Sequence, residues 1–95
     1  MNLKPFLKQL QAVCRDNNVS MLGVFGSVAR GDDTPESDID LLVKLSRPVG
    51  FIELIQLEDK FKDIFGRKVD LATEGALHPL IRQGVFGDLK VIYEK

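Results

Sequence analysis

Apolar and polar positions repeat along this chain with two different periods, and the switches between them mark its elements. From Pro5 to Asn17, the residues Phe6, Leu7, Leu10, Val13 and Cys14 recur at helical spacing and define one apolar face. Pro5 suits the first turn of that helix, and Asn17-Asn18 suits its exit. Val19 to Phe25 is a short, nearly continuous apolar run ended by Gly26, the pattern of a buried strand. Ser27 to Gly31 predicts a turn or the start of a helix. Asp32 to Ser37 carries turn chemistry throughout and predicts a loop.

A second strand is predicted from Asp38 to Leu45, broken by Ser46-Arg47-Pro48. Gly50 to Phe65 is the clearest helix. Phe51, Leu54, Ile55, Phe61, Ile64 and Phe65 form its expected apolar stripe, and Glu58 and Lys62 pair on its outside. Gly66 is its left-handed stop. Lys68 to Thr73 predicts a third strand, with Thr73 placed to cap the turn that follows. His78 to Gln83 predicts a short helix opened by Pro79, and Lys90 to Tyr93 a final strand at the sheet edge. The fold class expected is α/β (α+β), a small mixed β-sheet with helices packed on it.

Composition narrows the partners. The chain has 95 residues, which predicts one domain over 1–95. Thirteen Lys+Arg stand against fourteen Asp+Glu, a net charge of −1. No strong attraction to nucleic acid or anionic lipid follows from that balance, and no basic residues interleave the phenylalanines as in a base-stacking platform. No apolar run reaches the roughly 18 residues of a membrane span. Polar residues interrupt the N-terminus too often for a signal peptide. The single cysteine, Cys14, excludes an intrachain disulfide and suits a reducing, cytoplasmic setting.

The candidate chemistry lies in Gly26-Ser27, the loop, and Asp38-Ile39-Asp40-Leu41-Leu42-Val43. Strand side chains alternate faces, so Ile39, Leu41 and Val43 can enter the core while Asp38 and Asp40 share the other face. Their Cα atoms would stand about 6.5 Å apart, close enough to converge on divalent ions. Asp70, between Val69 and Leu71, has the same signature and joins them if the second and third strands pair. Three carboxylates repel unless cations lie between them, and hard oxygen ligands suit Mg²⁺. Gly26 lets backbone approach a ligand closely. Ser27 offers a hydroxyl, and the turn after it can present N–H groups to phosphate. Arg30 could add positive charge there or make a structural salt bridge. Phosphate grip beside an acidic cluster suits two-metal phosphoryl or nucleotidyl transfer. A P-loop is excluded because Gly31 is followed by Asp32, and no G-x-G-x-x-G is present.

Gly-Ser, ten residues, then Asp-x-Asp resembles the signature of the DNA polymerase β-like nucleotidyltransferases. Gly26-Ser27-Val28-Ala29-Arg30-Gly31 and Ser37-Asp38-Ile39-Asp40-Leu41-Leu42-Val43 are similar to its smallest branch, the minimal nucleotidyltransferases (MNT), over nearly the whole chain. Val28 departs from that pattern, where relatives often carry a basic residue. The resemblance implies the polymerase β-like fold. It implies that Gly26, Ser27 and, less directly, Arg30 bind the nucleotide, and that Asp38 and Asp40 ligate two Mg²⁺ ions. It implies that Asp70 is the third carboxylate and helps deprotonate the attacking hydroxyl. The implied reaction moves a nucleoside monophosphate, AMP from ATP, to a hydroxyl. Many MNT proteins pair with a HEPN-domain toxin and neutralise it, in some cases by attaching AMP to a toxin tyrosine. The implied role is thus antitoxin; separately, a small body with an exposed edge strand suits a homodimer or heteromeric complex. Two alternatives stand beside it: a module that neutralises by binding alone, and the catalytic subunit of a small-molecule nucleotidyltransferase.

Several residues have plainer readings. His78 reads as a surface residue at a helix start, Cys14 as core, and Tyr93 as a packed edge residue. Asp32, Asp33 and Glu36 read as a solvated loop.

Overall fold

A computed structural model describes all residues, Met1 to Lys95. A 3₁₀ turn at Lys4–Phe6, with Pro5 inside it, leads into α1 (Leu7–Asp16). Asn18 links α1 to the first strand at a φ of 61°, a conformation that asparagine tolerates better than most residues. The order continues with β1 (Val19–Phe25), α2 (Gly26–Arg30), β2 (Ile39–Leu45), α3 (Phe51–Phe65), β3 (Val69–Thr73), α4 (Pro79–Asp88) and β4 (Lys90–Glu94). A 3₁₀ turn at Glu74–Ala76 follows β3; Thr73 stands before it, but its side chain makes no capping bond.

The strands form one mixed sheet in the order β3-β2-β1-β4. β1 pairs antiparallel with β2 and β4, while β2 and β3 run parallel. Parallel pairing needs a crossover, and α3 supplies it. The expected mixed sheet with packed helices is what forms, with β4 at its edge.

One face of the sheet carries the main core. Leu22 and Val24 of β1, Ile39, Leu41 and Val43 of β2 and Val69 of β3 pack there against Leu10 and Cys14 of α1 and Leu57, Phe61 and Phe65 of α3. Phe6 and Phe65 meet with ring centroids 5.1 Å apart. Cys14 is fully buried, and its burial pushes the thiol up to about 12. The opposite face holds Asp40, Leu42 and Asp70, and α4 packs there against β1 and α2.

The stripe expected on α3 is only partly right. Leu57 is buried with Phe61 and Phe65, whereas Phe51 and Ile55 are exposed, 77% and 44%. At 3.6 residues per turn, Ile55 lies about 120° around the helix from Phe61, too far to share its face. α4 also runs longer than the predicted His78–Gln83. Gly84 and Gly87 look like breakers, but Val85 between them is buried and holds the helix to the sheet. His78 stands at its start, as expected, and its Nδ1 accepts the Leu80 N–H at 3.1 Å.

Candidate active site

The acidic end of β2 lies between the ends of its two neighbours. Asp40 is in register with Asp70 on the parallel strand β3, and with Phe25 on the antiparallel strand β1. Residues in register on neighbouring strands share a face, so β3 brings Asp70 beside Asp40, as the sequence required if these strands paired. Ile39 and Leu41 flank Asp40 and are fully buried on the other face, which fixes the direction of its side chain.

α2 turns directly out of β1 at Gly26. The φ of Gly26 is +71°, and a Cβ built there would stand 2.3 Å from Asp40 Oδ2. With the Asp40 carboxylate where it stands, only a residue without a side chain fits at this turn. Ser27 follows in the first turn of α2, half-buried. Val28 and Ala29 are buried in the core and anchor the turn. Gly26, Ser27, Asp40 and Asp70 are therefore assembled by β1, α2, β2 and β3 at one end of the sheet.

Two predicted residues have ion-pair partners of their own beside the site. Asp38 precedes β2, and its Oδ2 lies 3.7 Å from Lys68 Nζ. Three like charges repel, and the three carboxylates do not close into a single cluster of ligands. Arg30 Nη1 donates to Asp88 Oδ2 at 2.8 Å, and its Nε to Asp32 at 3.3 Å. The salt-bridge reading of Arg30 is thus the one its contacts support. Its charge still acts on Asp40 as the one lowering influence.

Electrostatics single out Asp40. Its carboxyl is raised above the ordinary carboxylate range, first by burial, then by the charges of Asp70 and Asp38. The folded value exceeds the unfolded one, so folding favours the protonated acid. That contribution is present below the unfolded value of about 3.9 and is lost as pH rises through the folded value. In metal-free buffer, the stability of Asp40→Asn relative to wild type should therefore increase as pH rises above about 4. Thermal melts of both proteins across that range check it, and a flat difference would remove Asp40 as a source of strain.

Hard-oxygen donors that repel one another, Asp38 and Asp40 half-buried and Asp70 exposed, suit a divalent cation. Asp40 and Asp70, with Asp38 one step outward, are the residues here that fit Mg²⁺.

One feature of the site was not legible. Arg67, on the turn between α3 and β3, reaches the loop before β2. Its Nη2 donates to the Thr34 carbonyl at 2.9 Å and also to the Ser37 carbonyl. Its Nη1 is 3.5 Å from Asp33 Oδ2. The Asp33 side chain is 7% exposed, not solvated as its loop composition suggested. Its carboxyl is held below the usual range, chiefly by the N-terminal ammonium that donates to it. Arg67 Nε is buried with no partner, a cost of about 1–3 kcal/mol for such a donor. Arginine and aspartate more than thirty positions apart leave no local signal of pairing.

Comparison with known proteins bears on this geometry. The profile of the family described as nucleotidyltransferase domain matches residues 7–92. A candidate protein adenylyltransferase of Methanocaldococcus jannaschii is 33% identical over 89 residues, covering 92% of this chain and 91% of the relative. The solved structure of a candidate minimal nucleotidyltransferase superposes with a TM-score of 0.78 at 30% identity, covering 95% of each chain. A chain from the complex of tri-AMPylated Shewanella oneidensis HEPN toxin with its MNT antitoxin shares the fold. Its TM-score is 0.75 at 20% identity, covering 99% of this chain and 74% of that one.

Proposed function

This chain belongs to the nucleotidyltransferase domain family, and from that premise we propose that it moves AMP from ATP to a hydroxyl of a HEPN-type toxin, a tyrosine, and so acts as its antitoxin. The observation that carries the site assignment is the register of Asp40 with Asp70, with the Gly26 turn against Asp40 Oδ2. The named role of the Methanocaldococcus relative supports adenylyl transfer. The AMPylated toxin in the Shewanella complex supports the kind of acceptor.

The residues divide the work as follows. The glycine backbone at Gly26 and the Ser27 hydroxyl grip the triphosphate, and Arg30 adds positive charge beside it. Asp38, Asp40 and Asp70 would hold two Mg²⁺ ions. Bound there, Mg²⁺ would neutralise the triphosphate and the charge that develops during transfer. Asp70, exposed on an outer strand, takes the proton of the incoming hydroxyl. The acceptor oxygen bonds to the α-phosphorus, the bond from that phosphorus to the bridging oxygen breaks, and pyrophosphate leaves.

The rest of the proposal follows from scale. Residues 1–95 act as one catalytic domain around one sheet, and the acceptor comes from the partner's surface. No helix is long and apolar enough to cross a membrane. With ATP as donor and Cys14 unpaired, the setting that suits the reaction is the cytoplasm.

The test is a transfer assay with Mg²⁺, α-labelled ATP and the protein encoded beside the gene for this chain. Label should move to the partner, and not when Asp40→Asn replaces wild type. A partner that co-purifies but stays unlabelled would replace transfer with neutralisation by binding alone.

A further inference from the structure

We infer that Arg67 is a positioning residue for the carboxylate site, tying the loop that launches Asp38 and Asp40 to the turn that launches Asp70. The inference rests on reading those acids as metal ligands. Ser37, whose carbonyl takes one of the guanidinium's bonds, directly precedes Asp38. Arg67 itself stands three residues before Asp70. Between the two lies the first backbone stitch of the parallel pair, from the Ile39 N–H to the Lys68 carbonyl at 3.0 Å. Arg67 therefore extends the pairing of β2 and β3 one step past the backbone, into the loop that sets the height of the acids.

The guanidinium suits this task for a geometric reason. Its planar fork meets two carbonyls and a carboxylate at once, and a lysine ammonium has no such fork. The arginine is held on the loop even though its Nε is buried and unpartnered. A surface arginine making a single ion pair would leave that nitrogen in water. Asp33, buried beneath the same guanidinium, keeps its charge matched from within the loop.

The test uses the full chain with Arg67→Lys, which keeps the charge and removes the fork. Hydrogen exchange reads the amides of residues 34–38. Mn²⁺ affinity beside a non-hydrolysable ATP analogue is read from the free-ion electron resonance signal. Exchange in the loop should quicken about tenfold or more, and Mn²⁺ affinity should fall about 10- to 100-fold, the usual effect of losing a group that orients metal ligands. Unchanged exchange in a folded variant overturns the inference. Faster exchange with unchanged Mn²⁺ affinity also overturns it, because the arginine would then be structural only. If Arg67→Lys does not fold, Arg67→Gln, which cannot span both carbonyls, is judged by the same two readouts. Asp40→Asn separates this failure from failure of the site reading. If that variant binds Mn²⁺ as wild type does, the acids are not ligands and the inference falls with them.

Discussion

Asp40→Asn will lose transfer activity by about 10³-fold or more, while the metal-free domain melts no lower than wild type at neutral pH. The two effects separate because Asp40 is costly to the fold and, in the proposed mechanism, holds the metal that the chemistry needs. The carboxylate lies half-buried on β2 with Asp70 in register beside it, and burial together with the charges of Asp70 and Asp38 disfavours its ionised form. An amide of the same shape removes that charge and keeps the packing of Ile39 and Leu41, fully buried on either side. A neutral amide oxygen is a poor substitute for a carboxylate toward a hard cation. Ligand linkage makes the contrast measurable. Mg²⁺ with ATP at about a hundred times its Kd would stabilise wild type by about 2.7 kcal/mol, a Tm rise of roughly 10–20 °C in a domain of this size. The variant should show little of that rise. A variant that unfolds in metal-free buffer would make Asp40 structural and remove it from the site.

The parts of this site that could be read in the sequence are those set by local alternation. Ile39, Leu41 and Val43 turn inward, so Asp38 and Asp40 turn outward; β2 obeys this to within one residue at its start. Asp70 could be read only conditionally, because alternation gives its face but not its neighbour, and the parallel pairing with β2 supplied that. Arg67 and Asp33 could not be read at all. Their bond is tertiary, and an aspartate in a turn-rich loop looks the same whether water or a guanidinium faces it. α3 and α4 show the other limit. Phe51 and Ile55 are apolar and close to helical spacing, yet the sheet meets only the sector centred on Phe61, and they stay exposed. Gly84 and Gly87 weaken a helix by propensity, but one buried side chain between them, Val85, keeps α4 on the sheet through Asp88. Where a single long-range contact outweighs local preference, the chain carries no short-range trace of it.

Gly26→Ala should damage both stability and transfer, and a second glycine separates the causes. At a φ of +71° an alanine carries backbone strain of about 1–2 kcal/mol. Its Cβ would also meet Asp40 Oδ2 at 2.3 Å and Cγ at 3.3 Å. The carboxylate can leave only by swinging away from the α2 turn, which would carry the proposed metal ligand away from the proposed phosphate grip. Misplacement of about 1 Å at a reacting centre can cost about 10²-fold, so transfer should fall by at least about that factor, with Tm lower by roughly 4–16 °C. Gly31→Ala is the control. Gly31 has a similar φ of +81°, yet a Cβ there meets nothing within 4 Å. It should lose comparable stability and keep most of its transfer activity. Equal losses of activity in the two variants would assign the effect to backbone strain in α2. Loss confined to Gly26→Ala would place the cause at the contact with Asp40, where the strand's acid and the proposed phosphate-binding turn meet.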